Sequence, residues 1–279
     1  MNLVSVRSVT ALAGVAVFAA GLSPAFAGGV GFAAHRAVYE LALDRSERIK
    51  GLVELTGRIV MEFSGSSCDG YSTALRYVTD ISRSDGDRLV TDMRTVTFED
   101  GDGAGFEFKT EVFVDRALSE ESRGSANRTE GGVAVALTKP GEKKFVLDNS
   151  VVFPTEQIER LIEAARNDEN FMQIDVFDGT EDGEKVYSTT AVISHGSSAG
   201  DEIDDEIAAS EAGLSGLRDW LVTVSYFDQE SAGEPTPVYV MSFVLYENGV
   251  SRRLKIDYGN FAIVGRLANL EMLPAEPCP

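Results

Sequence analysis

The sequence predicts an all-β fold, with about a dozen antiparallel strands and one or two helices. Apolar and polar residues alternate over many short segments, as they do in strands that bury one face. Clusters rich in Gly, Asp, Asn and Ser separate these segments, and such residues favour the turns of hairpins. Neither a Pro/Ser-rich linker nor an internal repeat is evident, so we expect a single domain over residues 28–279.

The alternating segments recur along most of the expected domain. The residues that they place on buried faces are Ala37, Tyr39, Leu41 and Leu43; Val53, Leu55, Ile59, Met61 and Phe63; Tyr71, Thr73, Leu75, Tyr77, Thr79 and Ile81; Phe106, Phe108, Val112 and Val114; and Trp220, Val222, Val224 and Tyr226. The segment 238–246 (VYVMSFVLY) is apolar on both faces, so we expect it to be covered on both sides.

One helix interrupts the strands near the middle of the chain. Apolar residues after Pro154 follow the i, i+3, i+4, i+7 spacing of an amphipathic helix: Ile158, Leu161, Ile162 and Ala165. Glutamates in the first turns and Arg166 near the end suit the helix dipole. We expect this 156–166 helix to place its apolar face in the concavity of a curved sheet.

The acidic segment 201–213 has two interpretations. A second helix around residues 203–212 is one of them, and a mobile surface loop is the other. We favour the loop, since acidic side chains crowd the first half of the segment.

The N-terminal residues have the pattern of a secretory signal peptide. A short region with Arg7 precedes an apolar run from Val9 to Leu22, and Ala25-Phe26-Ala27 supplies a small-x-small cleavage site. The apolar run is shorter than the ~20 residues that span a bilayer. We therefore expect residues 1–27 to be removed and the remainder to work as a periplasmic protein that does not span the membrane.

The net charge of −20 limits the partners of the chain. An acidic surface of this size repels phosphate backbones at long range, so nucleic acid is excluded as a partner. The two cysteines, Cys68 and Cys278, favour a disulfide in an oxidising compartment. An intermolecular link and a redox-active pair are the alternatives, although the absence of a Cys-x-x-Cys motif argues against the latter.

A serine-hydrolase motif is present only in form. The segment 196–200 (GSSAG) matches the G-x-S-x-G nucleophile elbow, whose histidine base follows the serine in the chain. His35 and His195 both precede Ser198, and the α/β alternation of that fold is missing. We interpret the segment as a flexible Ser/Gly loop.

Metal sites are also poorly supported. Four residues match the first, third, sixth and twelfth positions of an EF-hand loop: Asp100, Asp102, Gly105 and Glu111. Ala104 removes the ligand at the fifth position and both flanks resemble strands, so a hairpin turn explains the segment better. The acidic turn 178–183 has the same interpretation, and the two histidines lack the spacing of a zinc site. We expect no metal, cofactor or catalytic residue.

Several phrases together resemble the EipB family of alphaproteobacterial periplasmic proteins involved in cell-envelope integrity. The phrases are HRAVY (35–39), CDGY (68–71), RTVTFEDGDG (94–103), LTKP (137–140), VFPTE (152–156), DVFDG (175–179), KVY (185–187), LYENGVSR (245–252) and the terminal Cys278. The resemblance implies one domain of antiparallel strands wound into an overlapping, open-barrel-like β-spiral. It also implies a disulfide between Cys68 and Cys278 and a role in envelope maintenance without known catalysis.

These observations lead to three hypotheses for function. The first is a non-enzymatic envelope protein that binds a partner protein or an apolar, lipid-like ligand on a curved β scaffold. The ligand part depends on a likeness between such spirals and periplasmic carriers of acyl chains, which is an analogy of fold alone. The second is an envelope-remodelling hydrolase with an unrecognised acidic active site, and the third is a purely structural component.

Overall fold

A computed structural model describes residues 30–44, 51–194, 206–229, 236–275 and 278. The predicted signal peptide, the segment 196–200 with His195, and residues 201–205 lie outside the described residues. Within these ranges the chain forms one antiparallel sheet with two α-helices and a short 3-10 helix. The predicted all-β class is therefore confirmed.

The described sheet contains 14 strands. They are β1 His35–Leu43, β2 Leu52–Ser66, β3 Gly70–Arg83, β4 Arg88–Glu99, β5 Gly105–Val114, β6 Ala117–Thr129, β7 Gly132–Lys139, β8 Lys143–Leu147, β9 Phe171–Val176, β10 Tyr187–Ser194, β11 Asp219–Asp228, β12 Tyr239–Tyr246, β13 Ser251–Asp257 and β14 Ala262–Met272. The helices are α1 Pro154–Arg166 and α2 Ile207–Glu211, and the 3-10 turn is Leu214–Gly216.

The sheet consists of two meanders that meet at the first and last strands. Its order is β8-β7-β6-β5-β4-β3-β2-β1-β14-β13-β12-β11-β10-β9, so β1 pairs with both β2 and β14. The strands β8 and β9 stand at the two edges, and the sheet is open. The chain passes from one edge to the other through α1, and on the way Val152 forms a parallel bridge with Val176.

The segments that flank α1 and β9 cover the strands of the first meander. Phe153 and Phe177 pack against Phe106 and Phe108, with centroids 5.0 Å apart for Phe106–Phe153 and 5.6 Å for Phe108–Phe177. At Gly179 (φ 67°) a Cβ atom would come within 2.3 Å of the Phe108 ring, so the close approach requires glycine. The two ends of the sheet thus overlap, as in the barrel-like spiral that the resemblance implied.

The predicted helix is confirmed, and its apolar face packs on the second meander. Leu161, Ile162 and Ala165 are buried in a cluster with residues of β10, β11 and β12, including Val222 and Leu245. On β12, Phe243 and Leu245 belong to this cluster, whereas Val244 and Tyr246 belong to a second cluster with β1, β2 and β14. The apolar segment is therefore covered on both sides over its second half.

A carboxylate from β4 caps the beginning of α1. Phe153, the N-cap residue, offers no side-chain cap, and Glu99 Oε1 instead accepts hydrogen bonds from Thr155 N (2.7 Å) and Thr155 Oγ1 (2.5 Å). Burial raises the pKa of Glu99 to about 7, against the lowering effect of these bonds. The position of α1 on the sheet is thus linked to a buried acid.

The expectation of a mobile loop over 201–213 is wrong for the part that the structure describes. Residues 207–211 form α2, which packs on β14 and buries Ala209. Glu206 is 3% exposed, and its Oε1 accepts a hydrogen bond from Leu267 N at 2.6 Å. Because the buried Arg252 of β13 lies beside this carboxylate, the acidic residue is held in the core rather than in solvent.

Three smaller features complete the fold. A disulfide joins Cys68, in the β2–β3 turn, to Cys278, with Cα atoms 5.5 Å apart.

The predicted inward position of Val53 is wrong, because the pairing shifts between Leu52 and Glu54 and leaves Val53 60% exposed. The segment 100–104 forms a hairpin turn between β4 and β5, as predicted.

Candidate functional site

A predominantly apolar cavity of about 220 Å³ lies between the first turns of α1 and strands of both meanders. Its apolar side chains come from the segment before β1 and from β2, α1, β12 and β13: Phe32, Met61, Phe63, Ile158, Met241, Phe243, Leu245 and Leu254. Alternation along β12 places Met241, Phe243 and Leu245 on one face, which supplies one wall. The cavity is larger than the ~150 Å³ apolar cavities known to hold a small aromatic molecule.

Aromatic rings stabilise the opposite wall. Phe32 packs edge-on against Phe63 and Tyr71, with centroids 5.5 Å and 5.4 Å away, and Phe63 stacks on Tyr71 at 5.5 Å. Gly249 (φ 85°) allows the Phe32 ring to lie on the β12–β13 turn, since a Cβ atom there would come within 2.5 Å of the ring. The shape of the cavity therefore depends on contacts between the strands and the segments that flank them.

His35, the first residue of β1, also lines the cavity and is only 2% exposed. Its Nδ1 lies 2.7 Å from the Ala33 carbonyl oxygen. Its Nε2 is buried and has no hydrogen-bond partner, and it is the one such side-chain atom in the described part of the chain. Burial lowers the pKa of the imidazole, so His35 is neutral at neutral pH.

Three other polar residues that line the cavity already make hydrogen bonds within the protein. Thr155 Oγ1 donates to Glu99, and Asn248 Oδ1 accepts a hydrogen bond from Val250 N at 3.2 Å. The Ser251 carbonyl oxygen accepts the hydroxyl of Tyr39 at 2.7 Å. These groups already serve the fold, whereas His35 leaves an acceptor open.

A row of tyrosines continues the same face of the sheet. Tyr239 lies two residues before Met241 on β12, and its ring stacks on Tyr226 at 4.5 Å and approaches Tyr187 and Tyr258 at 6.3 Å and 6.2 Å. Burial raises the pKa of each of these hydroxyls, so all four stay neutral. The interior thus changes from an apolar cavity to a surface of rings that carry hydroxyl groups.

The structure separates most of the residues that the sequence singled out. Asp100 and Asp102 lie in the hairpin turn, whereas Glu111 lies within β5 and forms an ion pair with Lys109 at 2.9 Å. Among the described residues, no group of three or more His, Cys, Asp or Glu side chains is placed to hold a metal ion. No helix in the described ranges has the length and apolarity to cross a membrane.

No local pattern in the sequence predicts the cavity. Its walls come from residues that are far apart in the chain, such as His35, Ile158 and Phe243, and meet only in the folded sheet. The sequence pointed to His35 as part of a family phrase and as a rejected catalytic base or zinc ligand, whereas the lack of a partner at its Nε2 is seen only in the folded structure.

Comparisons with known proteins agree with this architecture. A family model described as EipB-like matches residues 26–274. The cell envelope integrity protein EipB of Brucella abortus (strain 2308) is 38% identical over 271 residues, which cover 96% of this chain and 95% of that protein. A crystal structure of a beta-barrel-like protein from Brucella abortus, of a domain of unknown function, superposes with a TM-score of 0.81 at 38% identity and covers 88% of this chain and 100% of the other.

Proposed function

The chain belongs to the EipB-like family, and we propose that it maintains the cell envelope by holding an apolar, lipid-like ligand in the cavity beside α1. The name of the Brucella relative supports the envelope role. The apolar cavity lined by His35, whose Nε2 is buried without a hydrogen-bond partner, carries the ligand part of the proposal. Apolar walls with a few placed polar groups are the usual form of small-molecule sites.

The proposal includes a periplasmic location and a role without catalysis. The expected signal peptide, residues 1–27, supports the location. Glu99 has the raised pKa that a catalytic acid needs, yet it is 3% exposed and accepts hydrogen bonds from Thr155 and from the Glu156 backbone at the start of α1. A Glu99→Gln variant that folds and retains envelope function supports the proposal, and loss of function in a folded variant would favour a hydrolase.

A partner protein is a second candidate, favoured by the edge strand β8. Within the described sheet β8 pairs only with β7, and Val146 on it is 62% exposed. An exposed edge can accept a strand from another chain, although Lys143 and Lys144 at its beginning restrict which strands can pair there. Crosslinking from position 146 followed by identification of the captured protein tests this candidate.

Native mass spectrometry of the protein purified from the periplasm tests the ligand proposal first. We expect an added mass in stoichiometric amount, and solvent extraction should release a lipid or another acyl species. Ile158→Trp should reduce the bound fraction, because the larger side chain fills the cavity that Ile158 lines. Glu163→Trp is the matched control, since Glu163 is exposed on the same helix.

The result against the proposal is equally clear. A wild-type protein that carries no added mass, and that takes up neither a phospholipid from mixed vesicles of phosphatidylethanolamine and phosphatidylglycerol nor an uncharged monoacylglycerol, would move the function to partner binding. Equal binding by the Ile158→Trp and Glu163→Trp variants would show that a bound lipid lies elsewhere on the protein.

A further inference from the structure

We infer that the cavity selects apolar ligands that carry one neutral hydrogen-bond donor, such as a hydroxylated alkyl chain, and that His35 Nε2 accepts that donor. This inference rests on the proposed function and names the class of ligand for the same cavity. It follows from the proton on His35, from the burial of Nε2 and from the absence of charged side chains among the described residues that line the cavity.

The hydrogen bond to Ala33 fixes which nitrogen carries the proton. A carbonyl oxygen only accepts, so the 2.7 Å contact requires Nδ1 of His35 to donate. In a neutral imidazole the other nitrogen then has a free lone pair. Since burial lowers the pKa of His35, this neutral form is the one present near pH 7. His35 therefore presents an acceptor, and it offers no second donor.

The position of that acceptor is costly for the empty protein. Buried polar atoms in native proteins nearly always have partners, and a buried acceptor without one loses the hydrogen bonds that it makes to water when the chain is unfolded. His35 Nε2 is the one buried side-chain nitrogen or oxygen left in this state among the described residues. A ligand that donates a hydrogen bond to Nε2 removes this cost, whereas a pure hydrocarbon does not.

The lining excludes charged head groups. Within the described ranges no Asp, Glu, Lys or Arg lines the cavity, so neither an anion nor a cation finds an opposite charge there. A carboxylate or phosphate ester also brings no donor to the lone pair. The two methionines of the lining, Met61 and Met241, have flexible side chains that allow the wall to yield as a donor approaches Nε2.

A matched pair of small probes tests the inference. 1-Octanol and 1-methoxyheptane have the same number of heavy atoms and both contain one oxygen, but only the alcohol can donate. By isothermal titration we expect the wild-type protein, stripped of endogenous lipid, to bind 1-octanol about tenfold more tightly than the ether. In His35→Phe the preference should vanish through weaker binding of the alcohol, with the affinity for the ether changed less than about twofold.

A second measurement needs no variant. The chain contains two histidines, so the imidazole ¹⁵N resonances of His35 are readily assigned in the wild-type protein. The Nε2 resonance should shift upfield when 1-octanol binds, because the lone pair then accepts a hydrogen bond, and it should stay in place with 1-methoxyheptane.

The outcomes distinguish the two proposals. Equal affinity for both probes, with an unmoved Nε2 resonance, would overturn the role of His35 and leave an apolar carrier function standing. Failure of both probes to bind would overturn the selection by His35 together with the proposed ligand function.

Discussion

Two regions of the molecule bury polar side chains, and they treat them in opposite ways. At β13 the residues Glu206 and Arg252 are 3% and 0% exposed. Glu206 accepts hydrogen bonds from Leu267 N at 2.6 Å and from Arg253 N at 3.3 Å, and Arg252 Nε donates to the Tyr246 hydroxyl at 2.8 Å. In the cavity beside α1, His35 is 2% exposed and one of its two nitrogens has no partner.

The difference separates a structural role from a binding role. A buried ion pair with its hydrogen bonds made holds neighbouring elements together, here α2 with β13 and β14. A buried acceptor without a hydrogen-bond partner does not stabilise the ligand-free protein. It contributes to binding only when a ligand donates a hydrogen bond to it. The exposed fraction of a polar side chain therefore does not distinguish the structural role from the binding role. The two roles differ in whether every buried polar atom has a hydrogen-bond partner.

The largest expected effect on stability comes from breaking the buried Glu206–Arg252 ion pair. Arg252→Met leaves the Glu206 carboxylate buried without its cation, which costs about 3–5 kcal/mol of unfolding free energy in comparable sites. Urea denaturation measures the change. Adding Glu206→Gln should recover part of the loss, because the amide oxygen still accepts from Leu267 N and the unpaired carboxylate charge is removed. Arg123→Met is the control on an exposed strand position and should change stability by less than about 0.5 kcal/mol.

A smaller loss is expected when the disulfide is removed. Cys68→Ser should lower the unfolding free energy by about 2–4 kcal/mol, because the bond restricts the unfolded chain over a sequence separation of 210 residues. This effect acts on the unfolded state, so both buried sites should keep their native properties. A denaturation midpoint in oxidising buffer that matches the wild type would contradict it. A change in octanol affinity would show that the bond also shapes the cavity.

Glu99 gives an intermediate case, which pH can test. Its folded pKa of about 7 lies above its ordinary value of 4.5, so its contribution to stability is complete below pH 4.5 and is lost as the pH rises through 7. The wild type should lose roughly 1–3 kcal/mol relative to Glu99→Gln between pH 4.5 and pH 8. The comparison with Glu99→Gln is necessary because burial also raises the pKa of Asp178. Parallel stability profiles for the two proteins would show that Glu99 does not titrate in this range.

Much of the fold could be predicted from local patterns. Strands such as β3 and β11 alternate apolar and polar residues because each buries one face, and α1 has the apolar spacing of a surface helix. The strand β6 (ALSEESRGSANRT) has no such pattern, since its buried positions include Ser122 and Ala126. The Ser122 hydroxyl donates to the Gly179 carbonyl oxygen at 2.6 Å, a contact between residues 57 positions apart that no local pattern contains.

The two buried polar sites were beyond prediction for a related reason. Glu206 belongs to an acidic run that is typical of a solvated surface, and the arginine that accounts for its burial comes 46 residues later. The hydrogen bond from His35 to Ala33 is local, but the cavity that His35 lines has walls from β2, α1, β12 and β13. The spacing of apolar residues predicts which face of a strand is buried. A site formed by several strands can be predicted only when the pairing register of those strands is known.

The smallest expected effect concerns His35 and is the most informative. His35→Phe removes the hydrogen bond to Ala33, which lowers the unfolding free energy. It also removes a buried acceptor without a partner, which raises the unfolding free energy. We expect the unfolding free energy of the lipid-free protein to change by less than about 1 kcal/mol, measured by urea denaturation beside Arg252→Met. A loss comparable to that of Arg252→Met would mean that His35 holds the fold together, and the distinction between a closed and an open polar site would then fail. A near-neutral result combined with weaker octanol binding would mean that this histidine serves ligand binding rather than stability.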